Sequence, residues 1–285
     1  MQFTTTKYFT DQKIFTIHIN KNVYIGGTST CLLDVTVNKI LYKHNKSVTH
    51  ISSSRKYLTS SSYDCTASIF LLNAKELEDV IEGPDTEIKC ISIDPLNKWI
   101  ALATRGKSVW VCRIGENIEI NNILEDHTED VKGCLFHEDM LFSFGYDNSI
   151  KCYKYFKMDE SWEMVQSISE NDTVWNLAFI DEKMFSCNGQ GEVSLYILDK
   201  GWTIVRKKKL SNLPIFALCA YKNMIICGIG FGNLIFMNTD LEVVYVINKL
   251  HDNFINCIYW SEEDDMIGTC SDDMTYCLIS EKKYL

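Results

Sequence analysis

Positive charge is in short supply in this chain. Its 285 residues carry 28 lysines and arginines against 38 aspartates and glutamates, a formal net charge of −10. Nucleic-acid-binding surfaces are basic, so direct binding to nucleic acid is not expected. No run is apolar enough to span a membrane as a helix, and prolines number only three. The opening MQFTTTKYFTDQKIF lacks both the basic stretch and the apolar core of a secretory signal. Cysteines are plentiful, twelve in all, yet none forms the C-x-x-C pair with which zinc and redox motifs aim two thiolates at one centre. Cys90 (EIKCISI), Cys134 (VKGCLF) and Cys257 (FINCIYW) instead recur at one strand position, as small buried residues do. The nearest approach to a ligand pair, Cys134-x-x-His137, has no second pair to complete it. No metal and no other cofactor is expected. Without a secretory signal, the cysteines fit a reducing cytosol or nucleus better than a disulfide framework.

Catalytic motifs are missing as well. There is no G-x-S-x-G, no phosphate loop, no H-E-x-x-H and no calcium-loop spacing. GIGFG, from Gly228 to Gly232, reads as a turn between paired strands and lacks the strand-to-helix setting of a dinucleotide site. An enzyme is not expected.

What the sequence does have is a repeat. Six segments show a strand, a tight polar turn and a second strand: LTSSSYDCTASIF, ALATRGKSVWV, LFSFGYDNSIKCY, MFSCNGQGEVSLY, IICGIGFGNLIFM and MIGTCSDDMTYCL. Aligned on the turn they place Asp64, Gly106, Asp147, Gln190, Phe231 and Asp273 at separations of 41 to 43 residues. A weaker first copy, YIGGTSTCLL, puts Thr28 at the same place. A period near 41 with four short strands per unit reads as propeller blades of the WD-repeat type. The expected fold is therefore all-β, a seven-bladed WD-repeat β-propeller forming a single domain over residues 1–285. The last repeat stops one strand short after TYCLI, and the N-terminal FTTTKYF is expected to join that last blade and close the ring, removing an open sheet edge. The basic run Arg206-Lys207-Lys208-Lys209 falls on a probable outermost strand. There it would discourage edge-to-edge pairing, with a localisation signal as the alternative.

Three histidines, His44, His127 and His251, sit just before an inner strand, and each is followed by a turn aspartate, Asp64, Asp147 and Asp273, 20 to 22 residues on. In a WD blade this is the pair that ties the incoming loop to the strand–strand turn. The other blades have lost both members together: Pro84 and Gly106, Glu170 and Gln190, Ser211 and Phe231. Joint loss follows from energetics. A buried charge stripped of its partner costs roughly 3–5 kcal/mol, whereas removing both can be nearly neutral. These residues are read as scaffold.

The middle repeats carry a more specific likeness. R-x-K-S-V-W (from Arg105), then L-x-x-H-x-x-D-V-K (around His127), then S-W-E followed by T-V-W (ending at Trp175) resemble, in order and separation, the WD-repeat adaptor of the cytosolic iron–sulfur protein assembly targeting complex. The likeness is firm over residues 50–180 and looser to SDDMTYCLI near the end. It implies a scaffold without chemistry of its own, cytoplasmic and also nuclear. It implies partners as well: MIP18-type and MMS19-type subunits, a hydrogenase-like iron–sulfur carrier, and apo iron–sulfur client proteins that receive a 4Fe–4S cluster. Many such clients are recognised through a C-terminal peptide ending in an aromatic residue. A WD scaffold of another assembly, such as a coat, nuclear pore or ubiquitin ligase, is the competing reading.

The resemblance places the family's functional surface arginine at Arg105, immediately before the third turn. Tyr63 and Tyr146 hold the same place in the second and fourth blades. Five residues past each histidine-equivalent position comes a further set expected to reach this rim: Phe15, Thr49, Lys89, Lys132, Trp175, Phe216 and Asn256. The candidate protein-binding residues are thus Arg105, Lys89, Lys132, Tyr63, Tyr146, Trp175 and Phe216, a basic and aromatic set of the kind enriched at binding hot spots. Trp175 and Phe216 also read as packing residues.

Overall fold

The computed structural model describes residues 2–282, which form strands and turns and no helix. No helix among the described residues is therefore long and apolar enough to cross a membrane. The strands make seven four-stranded antiparallel sheets, and the chain is a seven-bladed β-propeller. In chain order the blades occupy residues 14–43, 48–82, 88–124, 131–169, 174–209, 218–247 and 255–281. The seventh has three strands of its own, and its fourth is Phe3–Phe9. That strand pairs antiparallel with Thr275–Glu281, from Phe3 opposite Glu281 to Phe9 opposite Thr275. Tyr8 stacks on Tyr276 with ring centroids 4.8 Å apart. The sequence-based expectation for the chain's first strand holds.

Each blade grades from a dry inner half to a wet outer strand. Second strands such as Tyr57–Ser62 and Trp99–Thr104 are buried along their whole length, and they can be because serine, threonine and alanine let neighbouring sheets approach. Outer strands such as Glu76–Glu82 expose most of their side chains.

Contacts gather the blades into two compact units. One comprises residues 30–32 and 40–174 and holds blades 2, 3 and 4 complete. Between its second and third blades lie Ala67, Ile69, Ile91, Ile100 and Leu102. Between its third and fourth lie Ala101, Val111, Leu141 and Tyr153, with Trp99 edge-on to Trp162 at 5.7 Å. The other unit comprises residues 1–29, 33–39 and 175–285. Phe185, Ile215, Ile225 and Met237 fill the gap between blades 5 and 6. Ile226, Phe236, Ile258 and Ile267 fill that between 6 and 7, and Ile17, Ile25 and Cys270 join blade 7 to the first. A fully buried isoleucine or leucine contributes about 1.5–3 kcal/mol. Since these side chains are covered by the next blade, no single repeat would hold on its own.

One backbone feature recurs in all seven blades. The residue after the turn position is left-handed: Thr30 (φ 67°), Cys65 (72°), Lys107 (65°), Asn148 (58°), Gly191 (79°), Gly232 (77°) and Met274 (64°), which puts the turn position of blade 1 at Ser29, one residue past the expected Thr28. In five of the blades its carbonyl accepts a hydrogen bond from the following repeat. Thr30 O accepts from His44 N (2.9 Å), Asn148 O from Glu170 N (2.7 Å) and Gly191 O from Ser211 N (3.2 Å). Gly232 O accepts from His251 N (3.1 Å) and Met274 O from Thr10 N (2.8 Å). Glycine is demanded at two of these positions. A Cβ at Gly232 would come within 1.8 Å of His251 O, and one at Gly191 within 2.3 Å of Ser211 O.

Candidate protein-docking surface

The histidine–aspartate pairs form as the spacing predicts. His127 Nδ1 lies 2.8 Å from Asp147 Oδ2 and its Nε2 lies 2.7 Å from Ser143 Oγ. An ionised carboxylate can only accept, so Nδ1–H donates to Asp147. Asp147 also accepts from Thr128 N (3.2 Å), Ser149 N (3.2 Å) and Ser149 Oγ (2.7 Å). Burial works to raise its carboxyl, but the bonds from His127, Ser149 and Thr128 outweigh it and hold the group at about 2. In blade 7, His251 Nδ1 reaches Asp273 at 3.2 Å and Thr275 Oγ1 at 2.8 Å, and its Nε2 meets Thr269 Oγ1 at 2.8 Å. Asp273 takes further bonds from Asp252 N (2.9 Å), Thr275 Oγ1 (2.6 Å) and Lys7 Nζ (3.4 Å), the last from the N-terminal strand. In blade 2, His44 Nδ1 bonds Thr66 Oγ1 (3.0 Å) and stands 3.3 Å from Asp64, which accepts from Asn45 N at 2.7 Å. Burial lowers the imidazoles of His44 and His251 against the pull of their carboxylates.

Where the pair is lost, other groups close the turn. In blade 3 Thr86 Oγ1 accepts from Gly106 N at 2.9 Å, and a Cβ at Gly106 would crowd that oxygen at 2.8 Å. In blade 5 Asn188 Oδ1 accepts from Gln190 N and Glu192 N, both at 3.0 Å.

On the turn side of blades 2 to 4, four of the sequence-selected residues come together. Lys89 Nζ lies 4.6 Å over the Tyr146 ring and donates to Asp130 Oδ2 at 2.7 Å. Arg105 donates to Glu87 at 3.2 Å, and its Nε stands 4.0 Å from Asp130. Its side chain remains 61% exposed, whereas that of Lys89 is 13% exposed. Tyr63 is half-buried beside them: burial raises its phenol, and Lys89 pulls the other way. Lys132 sits half-buried on the adjoining inner strand, Val131–His137. The patch expected to be basic therefore contains its own anions, Glu87 and Asp130. Three cations thus stand beside two anions, and Arg105 is far more exposed than Lys89.

The two remaining candidates lie in the other unit and belong to a row of four aromatics. Trp175 meets Phe216 edge-on at 4.6 Å, Phe216 meets Phe254 at 5.1 Å, and Phe254 meets Phe231 at 5.2 Å. Trp175 packs on the blade 5–6 core while Phe231 is 59% exposed, so the row runs from core to solvent. Packing and presentation are combined in one cluster.

Sequence reasoning missed Glu87, Asp130 and Phe254. Phe254 lies three residues past His251, outside the five-residue spacing used to choose rim positions. Glu87 and Asp130 stand at the same offset, three residues past Pro84 and His127; Glu87 pairs with Arg105 within blade 3, and Asp130, at the entry to blade 4, meets Lys89.

Among the described residues, no group of three or more His, Cys, Asp or Glu could hold a metal ion. All twelve cysteines are free thiols, and burial pushes those of Cys112, Cys152, Cys219 and Cys227 up to about 12. Such groups are poor nucleophiles and poor ligands at neutral pH.

Repeat, blade and turn together define the class: a WD-repeat β-propeller. The WD40 family (WD domain, G-beta repeat) matches residues 36–70 and 243–280. Among curated proteins the chain is similar to three named "Probable cytosolic iron-sulfur protein assembly protein 1". The one from Botryotinia fuckeliana is 32% identical over 129 residues, 42% of this chain and 30% of that protein. That from Sclerotinia sclerotiorum is 35% identical over 85 residues, 26% of this chain and 19% of that protein. That from Neurospora crassa is 24% identical over 251 residues, 72% of this chain and 52% of that protein. The chain thus spans no more than about half the length of these relatives.

Proposed function

We propose that this chain is a non-enzymatic docking adaptor of cytosolic iron–sulfur protein assembly. It holds apoprotein clients, a carrier and targeting subunits of the MIP18 and MMS19 types for 4Fe–4S insertion, in the cytoplasm and also in the nucleus. The observation that carries this reading is the likeness to relatives named for that process, with Arg105 exposed in the stretch that bears the resemblance. The rest agrees with it: turn-side side chains suited to protein contact, and eight of the twelve thiols buried.

Arg105 is the anchor for a carboxylate, and the row ending at Phe231 offers an apolar surface for an aromatic-ended peptide. A guanidinium grips a carboxylate through two parallel hydrogen bonds, a geometry lysine cannot copy. Arg105→Glu is expected to weaken binding of a client-type peptide or of the MIP18-type partner at least roughly tenfold with the melting temperature unchanged, and Arg105→Lys to fall between. Trp175→Ala is expected to reduce binding of the aromatic-ended peptide. Titration of the two ligands separately checks this, and wild-type affinity of Arg105→Glu for both would remove Arg105 from the site. Affinity purification with mass spectrometry tests the function as a whole: recovery of coat or ligase subunits in place of iron–sulfur targeting subunits would reject it.

A further inference from the structure

The outermost strand of blade 5, Trp202–Lys209, ends in four consecutive cations, Arg206 to Lys209, in a chain of net charge −10. Protection of a sheet edge does not require them. The outer strand of blade 6, Val243–Ile247, has no charged residue and exposes three valines, and that of blade 2, Glu76–Glu82, is acidic. A linear localisation signal does not describe the run either, because such signals are read as free extended peptide. Here Arg206 to Lys209 are paired in register with Leu195, Ser194, Val193 and Glu192, beyond a bulge at Val205. Their side chains therefore alternate between the two faces of the blade.

On one face, the Arg206 guanidinium donates to the Asp240 carbonyl and the Lys208 ammonium to the Leu241 carbonyl, each at 2.7 Å. Two cations are thus held side by side by neutral oxygens, which orient them without cancelling their charge. The exposed Lys209 lies at the strand's end, and upstream Thr203 and Val205 are exposed and neutral. Among the described residues no further strand of the sheet covers this edge, so its outward N–H and C=O groups are available for pairing.

We propose that this edge is a docking site for an acidic, extended segment of a partner protein, which adds to blade 5 as a fifth strand. Charge complementarity selects the occupant: carboxylates at alternate positions of the segment meet Arg206 and Lys208, and aliphatic residues at its other end lie along Thr203 and Val205. Main-chain hydrogen bonds supply affinity and the alternating side chains supply specificity. A single-stranded nucleic acid fits less well. Such binders combine a basic groove with exposed aromatic rings for base stacking, whereas Trp202, the aromatic residue of this strand, is buried. The proposal draws on no residue of the Arg105 patch, so it stands whether or not the adaptor reading does.

The test uses the full chain and a labelled decapeptide of alternating glutamate and valine, beside a lysine–valine counterpart and a dT decanucleotide. The glutamate peptide is expected to bind, to weaken as salt rises, and to protect the amides of residues 202–209 from hydrogen exchange. Arg206→Glu combined with Lys208→Glu is expected to lower its affinity at least roughly tenfold without shifting the melting temperature. Should that variant unfold, Arg206→Ala with Lys208→Ala is expected to show a smaller loss in the same direction. Undiminished binding by a folded variant, protection appearing only outside 202–209, or equal affinity for the lysine peptide or the oligonucleotide would each overturn the proposal.

Discussion

Asp147 does three jobs with one carboxylate: it receives the buried His127 imidazole, caps the incoming loop at Thr128 N and fixes the turn through Ser149. Asp147→Ala strips these donors of their acceptor in a nearly closed site, since the aspartate side chain is 4% exposed. The expected cost is roughly 2–4 kcal/mol. Gln190→Ala, at the equivalent place in a blade without the pair, changes an exposed side chain while its backbone bond to Asn188 persists, and is expected to cost about 0.5 kcal/mol or less. Denaturant midpoints of the two variants compare the sites directly.

Acid should undo the same networks in two stages. His44 and His251 are lowered from 6.5 by burial, so the unfolded chain takes up protons first, and stability begins to fall as pH drops below 6.5. Asp147 and Asp273 are held at about 2 against an ordinary 3.8, so their contribution, about 2 kcal/mol each, is full above 3.8 and is lost as pH falls through 2. The urea midpoint is expected to decline between pH 6.5 and 5, and the gap between wild type and Asp147→Ala to narrow from pH 7 towards pH 2. A gap that stays constant would show that Asp147 titrates normally. These pairs were legible in the sequence because histidine and aspartate recur at a fixed separation. Glu87 and Asp130 were not, since the repeat position they share, three residues past Pro84 and His127, carries a different residue type from blade to blade, as Ser47 and Phe254 show.

At the scale of the element, the left-handed turn residue explains how unlike repeats keep one geometry. In five blades its carbonyl accepts a hydrogen bond from the following repeat, a backbone interaction that tolerates Thr30, Asn148 or Met274 in place of glycine. Tolerance has a cost: a left-handed residue with a Cβ loses about 1 kcal/mol, least for asparagine. Met274 is 44% exposed and packs little there. Met274→Gly is therefore expected to raise stability by about 0.5–1 kcal/mol, partly offset by the unfolded-state freedom of glycine, and Asn148→Gly to gain less. Thermal melts of both variants against wild type test the order. The turns were visible from their polar composition. The shared left-handed conformation was not, because only two of the seven positions carry glycine.

For the molecule as a whole, the N-terminal strand matters beyond the blade it completes. Phe3 stacks on Phe236 of blade 6 at 4.8 Å, and Lys7 reaches the Asp273 network of blade 7. Deleting residues 2–9 would remove these contacts and bare the edge of Thr275–Glu281. The expected loss is on the order of 3–5 kcal/mol, with self-association visible on size exclusion. A deletion variant that remains monomeric at wild-type stability would show that the strand is dispensable.

Repeat number, strand order, the identity of the last blade's missing strand and the three histidine–aspartate pairs were determined by the sequence itself. All rest on local pattern: a 41-residue period, alternating apolar positions and short-range turn chemistry, which the backbone must obey wherever the repeat lies. The character of the candidate surface was decided only by tertiary structure. Folding set Glu87 and Asp130 against the cations meant to form a basic patch and drew Phe254 and Phe231 into line with Trp175 and Phe216. It also locked the basic run of blade 5 into a paired strand. Those outcomes depend on which side chains and strands meet once the chain is folded, and Coulomb and packing energies between them depend on separation in space, which the linear order does not contain.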